Sequence, residues 1–241
     1  MTRALLALQA ATRFRLTPGR RIQCENDPDL SPAPLLYMSG CEEGWIGYVR
    51  EDVDDVAARA FDELIQREPP VRGPGANPRF AESYREIVGT SETLTPHNHG
   101  PIHRLPRGTR GTADVAIVSN GTPEGNALRV RILRDGMPRE LFEAGFTDLT
   151  HIWEPWCATL VDDAIASIAF AARKSLLAAD VGVFTVASHR GRGLAAAVTA
   201  AWSTLLPRQP ALFYSTHRDN DASRRVIAKL GLPFVGESFS L

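Results

Sequence analysis

The sequence predicts an α/β (α+β) protein, and three observations carry that reading. The stretch 181–206 opens with a β-branched and aromatic run, Val181 to Val186. It passes through a glycine turn and ends with Leu194, Ala197, Val198, Ala201, Trp202 and Leu205 at helical spacing. A second strand–helix pair follows: 211–216 (ALFYST) reads as a buried strand, and the residues after Asn220 as an amphipathic helix. Near the N-terminus, Val53, Val56, Ala57, Ala60, Phe61, Leu64 and Ile65 share one helical stripe, preceded by short strand-like runs.

Length and composition set the frame. With 241 residues the chain makes one large domain or two small ones, and 44% hydrophobic residues suffice for a core without staples. A net charge of −1 gives no global pull toward nucleic acid or membrane. Cys24, Cys41 and Cys157 form no CxxC pair and are odd in number, which suits a reducing, cytoplasmic setting. No apolar run reaches the roughly 18 residues of a spanning helix. The leucines of 1–11 read as part of a helix rather than a signal peptide.

In chain order, 2–14 is a predicted helix, and 21–25, 35–39 and 44–50 are predicted strands. Asp52 is the expected cap of the striped helix, which Pro69-Pro70 ends, and 79–88 is a further short helix. Residues 1–90 therefore form an α/β module, expected to pack on the core and to need it as a partner. Residues 91–112, rich in Pro, Gly and Thr, read as an irregular linker. His97, His99 and His103 within it have zinc-like spacing but no carboxylate or cysteine nearby, so no metal is expected. Arg104, Arg107 and Arg110 read as a solvated face. Strands are then expected at 113–119 and 128–133, and a short helix at 138–144. A hairpin over 153–173 follows, with Asp162-Asp163 as its turn rather than as an acid/base pair. Residues 178–186 are the strand that enters the glycine turn.

That turn is the informative stretch. A helix start leaves its first N–H groups without backbone partners, and the helix dipole makes the spot favourable for an anion. Gly191 and Gly193 allow close approach, and Ala195 keeps the first turn uncluttered. No Gly-Lys-Ser/Thr follows, so this is no Walker loop. The third glycine and downstream acid of a dinucleotide fold are also missing.

Arg190, Gly193 and Ala195 after a valine-rich strand resemble the acyl-CoA loop of the GNAT N-acetyltransferase superfamily. Asn220, Ser223, Val226, Lys229, Leu230, Gly231 and Leu232 resemble its second motif. The resemblance covers roughly 128–241 and is greatest to a bacterial group with Trp-Glu-Pro-Trp before the central hairpin (153–156 here) and an added N-terminal region. It implies a mixed, mostly antiparallel twisted sheet flanked by helices over 113–241, with 1–90 as an extension. It implies acetyl-CoA as cofactor, a small-molecule primary amine as acceptor, and a monomer or homodimer. The diphosphate would take N–H groups of Gly191, Arg192, Gly193, Leu194 and Ala195, beside Arg190. The pantetheine would meet the backbone of Thr185 and Val186, and the thioester oxygen an N–H near Val183. Asn220 and Ser223 would lie beside the pantetheine or the thiol.

For catalysis, the resemblance places Asp180 where family members often carry a glutamate base, with Glu154 and His151 in reserve. Ser223 is a candidate to protonate the leaving thiolate. The family's usual tyrosine acid falls at Ile227, which holds no proton. A non-catalytic acyl-CoA-binding module is therefore the alternative reading.

Overall fold

The computed structural model describes residues 2–89, 99–111 and 115–241. In chain order it contains α1 (Thr2–Arg13), β1 (Phe14–Leu16), β2 (Ile22–Glu25), β3 (Leu36–Cys41), β4 (Gly44–Val49), α2 (Asp55–Ile65), α3 (Ala81–Val88) and β5 (His99–Arg104). Then follow β6 (Val118–Ser119), α4 (Pro123–Asp135), α5 (Arg139–Glu143), β7 (Trp153–Val161), β8 (Ala164–Lys174), β9 (Ala178–Thr185), α6 (Leu194–Trp202), β10 (Ala211–Ser215), α7 (Asp221–Leu230) and β11 (Phe234–Ser240). The chain divides into two compact units: Met1–Arg104 with Ser215–Arg224 and Pro233–Leu241, and Leu105–Tyr214 with Arg225–Leu232. This division differs from the expected 1–90, 91–112 and 113–241, because two C-terminal segments join the N-terminal residues.

In the first unit, β4, β3, β11 and β5 form an antiparallel sheet. Strand alternation sends Leu36 and Met38 to one face, where they meet Phe61, Ile65 and Tyr84 of α2 and α3. Tyr37 points to the other face, where its hydroxyl donates to Gln9 Oε1 of α1 at 2.9 Å and its ring meets Phe14 edge-on. Full burial of one such core residue, Phe61, is worth about 2 kcal/mol. Glu43 reaches the start of α1 and accepts from the N–H groups of Thr2 and Arg3. Glu68 does the same for Arg79 and Phe80 ahead of α3, and also accepts from the Tyr84 hydroxyl. Burial, with Glu68 beside it, raises the Tyr84 pKa above its ordinary value.

Several expectations shift here. The cap of α2 is Asp54, whose Oδ1 accepts from Val56 and Ala57; Asp52 instead pairs with Arg50 at 2.7 Å. Val56 leaves the stripe at 69% exposure, because Ala58, Phe61 and Ile65 make the buried face. The linker reading of 91–112 fails at β5, which pairs with β11 and buries both His99 and His103. His97 lies outside the described residues. Gly100 explains why this odd sequence can be a strand: a Cβ there would stand 1.9 Å from the Thr216 carbonyl oxygen. Glu237, fully buried on β11, places Oε1 at 3.2 Å from His99 Nε2 and 3.9 Å from Arg218 Nη2. Its Oε2 accepts from the Gly75 N–H.

In the second unit, β6, β7, β8 and β9 run antiparallel and β10 adds to β9 in parallel. The result is the mixed, mostly antiparallel sheet expected, flanked by helices. Cys157, Ala169, Ala171, Val181 and Val183 face α6, with Val198 and Trp202 at the contact. Ile168, Phe170 and Phe184 face the opposite layer, built from Leu128 and Ile132 of α4 and Leu141 of α5. Asp162 and Asp163 make the β7–β8 turn with φ of 49° and 60°, the left-handed pair of a tight hairpin.

One expected strand, 128–133, is a helix. Leu128, Val130 and Ile132 imitate β alternation, but Val130 is 62% exposed, while Leu128 and Ile132 sit one turn apart in the core. The signal overlooked is Thr122-Pro123: Thr122 Oγ1 accepts from the Gly125 N–H and Pro123 opens the helix. Of the strand expected at 113–119, Val118–Ser119 is seen, and 112–114 lie outside the described residues.

Candidate functional site

The site grows from the end of one strand pairing. β9 and β10 pair at Ala178 with Ala211, Ala179 with Leu212 and Asp180 with Phe213. No further pair follows, although β9 continues to Thr185 and stays paired with β8 through Ser167–Thr185. Among the described residues, β9 beyond Asp180 thus has one paired edge and one open edge. Which backbone groups face the opening follows from alternation. The Val186 N–H donates to Ala166 O at 3.0 Å, and the Phe184 carbonyl accepts from Ser167 Oγ at 3.1 Å. Residues 184 and 186 therefore turn their main-chain groups toward β8. Val183 and Thr185 turn theirs to the open edge, and the Thr185 carbonyl there accepts from Arg190 Nε at 3.3 Å.

This corrects one site expectation. Val186 offers no backbone group, since its N–H goes to Ala166 and its carbonyl accepts from the His189 N–H at 2.9 Å. The Thr185 hydroxyl is held 2.8 Å from Ser167 Oγ.

Immediately after the opening, a short turn at Ala187–His189 leads through Arg190, Gly191, Arg192 and Gly193 into α6. Gly191 has φ of 78° and Gly193 φ of 80°, conformations that side-chain-bearing residues rarely adopt. Gly193 is the helix cap and has no side chain to give. The first carbonyl bond of the helix runs from the Ala197 N–H to Gly193 O, and no acid lies in the first turn. The N–H groups of Leu194, Ala195 and Ala196 precede that bond and are orphan donors of a helix start. A Cβ at Gly191 would meet nothing within 4 Å, so the approach is open. Arg190 and Arg192 are exposed, with Arg192 Nη1 2.9 Å from His189 Nδ1. Uncapped donors, two arginines and no neighbouring acid in the turn suit a diphosphate. The residues present thus fit the expected acyl-CoA.

The remaining candidates lie as follows. Asp180 is buried at the last β9–β10 pair, opposite Arg173 of β8. By alternation it shares its face with Gly182 and Phe184. Asn220 and Ser223 belong to the first unit. Asn220 Oδ1 accepts from the Ser223 N–H at 3.0 Å, so this side chain serves as the cap of α7. Gly231, with φ of 60°, ends that helix as expected, and the Leu232 N–H returns to Ile227 O at 3.1 Å. Ile227 itself is buried among Val226, Trp202 and Tyr214. Of the reserves, Glu154 is exposed, and His151 Nδ1 stands 3.6 Å from Asp148 Oδ1. A separate 390 Å³ cavity in the first unit is bordered by Glu43, Glu68 and Trp45. Of its three carboxylates, Glu42, Glu43 and Glu68, the last two are the helix-capping ones described above.

No family model and no curated protein matches this sequence. Solved structures do resemble it. The tandem GNAT protein of the clavulanic acid biosynthesis pathway is 14% identical, with 98% of this chain and 93% of that one covered, at a TM-score of 0.44. A GNAT acetyltransferase from Colwellia psychrerythraea is 15% identical over 81% and 76% of the two chains, at 0.40. A protein assigned to the same acetyltransferase family, from Novosphingobium aromaticivorans, is 18% identical over 58% of this chain, at 0.37; the match spans 63% of its own length. These neighbours are GNAT proteins. Among the described residues, no helix is long and apolar enough to cross a membrane.

Proposed function

We propose that the chain is an acetyl-CoA-dependent N-acyltransferase acting on the primary amine of a small or amino-acid-like molecule in the cytoplasm. One observation carries the reading: β9 loses its β10 partner directly before an uncapped, glycine-cornered helix start. An open strand edge and an anion seat in succession suit an extended arm that ends in a diphosphate.

When bound, acetyl-CoA supplies an acyl group activated as a thioester. The chain's own tasks are set by that chemistry. Leu194, Ala195 and Ala196 offer N–H groups to the diphosphate, and Arg190 and Arg192 add charge. Val183 offers its N–H at the open edge, where it would stabilise negative charge growing on the acyl oxygen. An alkylammonium, with a pKa near 10, must lose its proton before attack. Asp180, at the head of the opening, is the proposed base. Ile227 cannot give a proton to the leaving thiolate, so that proton comes from water.

The buried Ile227 also favours a second reading, an acyl-CoA-binding module without turnover. Two measurements separate the readings. Coenzyme A should raise the melting temperature under both. Thiol release from acetyl-CoA in the presence of amines occurs only under the first. No thermal shift with millimolar coenzyme A overturns both.

A further inference from the structure

The open stretch of β9 has two faces, and they differ in chemistry. The α6 face leads to the anion seat. The opposite face holds positions 182 and 184, and it is aromatic. A Cβ at Gly182 would stand 2.6 Å from the Phe170 ring, so that ring already lies over the glycine and fills the space a side chain would take. Phe184, half-buried, is next on the same face. Phe146 stands edge-on to both rings, with centroids 5.3 Å from Phe170 and 5.9 Å from Phe184 and interplanar angles of 82° and 66°. Three phenyl rings thus meet beside the segment where Val183 turns its backbone to the opening.

Among the described residues of β8 and β9, charge on this face stays at one end. The β8 positions sharing this face alongside the open stretch are Ile168, Phe170 and Ala172. Asp180 of β9 lies at the closed end of the slot, with Arg173 of β8 opposite it. A molecule entering from this side meets apolar ring surface and, at the closed end, a carboxylate opposite a guanidinium. A second ammonium would lose its hydration without gaining a partner. An aryl or branched alkyl group would instead exchange water for ring edges and faces.

We infer that the acceptor is a mono-amine carrying an aromatic or bulky apolar group, seated against Phe184 and Phe146, rather than a polyamine or a small hydrophilic amine. This rests on the acyltransferase reading above and names its substrate class.

The test compares 2-phenylethylamine, ethanolamine and spermidine as acceptors with acetyl-CoA, following thiol release. It uses the full-length protein and its Phe184→Ala and Phe184→Leu variants. Melting with and without coenzyme A is measured for each. In the wild type, kcat/KM for 2-phenylethylamine should exceed that for ethanolamine and for spermidine by at least about tenfold, the usual worth of a filled apolar pocket. Phe184→Ala should reduce that preference at least about tenfold while coenzyme A still raises its melting temperature, and Phe184→Leu should fall between. The inference is overturned by a wild-type preference for spermidine or ethanolamine. It is also overturned by Phe184 variants that bind coenzyme A with an unaltered preference, or by no turnover of any amine in a protein that binds coenzyme A. If coenzyme A gives no thermal shift in the wild type, the acyltransferase reading itself has failed and takes this inference with it.

Discussion

Glu237 and His99 sit on neighbouring strands with Oε1 and Nε2 3.2 Å apart, and Arg218 Nη2 lies 3.2 Å from the same imidazole nitrogen. A guanidinium only donates and a carboxylate only accepts, so one nitrogen cannot serve both at once. Among the described residues, Glu237 Oε1 indeed has no hydrogen bond of good geometry. What Glu237 supplies is the counter-charge for a buried cluster. Glu237→Ala should therefore cost about 3 kcal/mol, the usual penalty for stripping a buried charge of its partner. Arg218→Ala in the same background should cost less than it does alone. Urea melts of the two single variants and the double variant form the cycle; additivity would show that the two groups do not couple.

Gly193→Glu addresses the anion seat. A carboxylate at the cap would occupy the place of the diphosphate and strain a left-handed position. Wild-type protein with coenzyme A at 100 times its Kd should gain about 2.7 kcal/mol of stability. The variant should gain none, as read by thermal shift.

Asp180→Asn keeps the shape of the side chain and removes the base. kcat/KM should fall about 10²–10⁴-fold with coenzyme A affinity unchanged. Wild-type turnover in this variant at neutral pH would assign Asp180 to the sheet alone.

In a fragment covering 105–241, β11 should lose its protection. It pairs on one side with Tyr37–Gly40 and on the other with His99–His103, and the fragment lacks both. Amide hydrogen exchange of residues 234–240 in the fragment against the whole chain decides this. Protection of those amides equal to that in the whole chain would contradict it.

Burial pushes the Cys157 thiol up to about 12 from its ordinary 9.0, and its Sγ meets the Val198 carbonyl oxygen at 3.3 Å. The unfolded chain releases this proton near pH 9 and the folded one near 12. The folded state therefore holds more protons in that window, and stability must fall as pH rises through it. Below pH 9 the contribution is fully present. Denaturant melts at pH 8 and 10.5 should show a smaller loss in Cys157→Ala than in the wild type. In the native protein, half-buried Cys24 should react with a thiol reagent well before Cys157.

The second unit was the more legible half, and the reason is local. Its strands carry β-branched residues, and α6 and α7 carry their own stop and start signals. The Asp162-Asp163 turn is written in two adjacent residues. Strand β5 was illegible because what makes it a strand lies far off in sequence: β11 as neighbour, and a Thr216 carbonyl that tolerates only glycine opposite. β11 itself, seven residues mixing Phe, Val, Gly, Glu and Ser, is defined by two partners more than a hundred residues away. At the site, the glycine loop could be read from residue types. The end of β9–β10 pairing at Asp180 could not, nor could the commitment of the Val186 N–H to Ala166, because both depend on register. The aromatic face likewise needed three rings from separate elements.

The placement of β11 also orders events in time. The first unit's sheet has β11 in its interior, so the β3–β4 hairpin and β5 lack their shared neighbour until residue 240 has left the ribosome. At about 5–20 residues per second, the gap after residue 104 lasts several seconds to nearly half a minute. During it, Met38, Phe61 and Tyr84 lack the Phe239 side of their core. The second unit is made meanwhile and needs none of those last residues except through 232. The N-terminal half of this chain is thus born first and finished last, which leaves it as the half most dependent on chaperones.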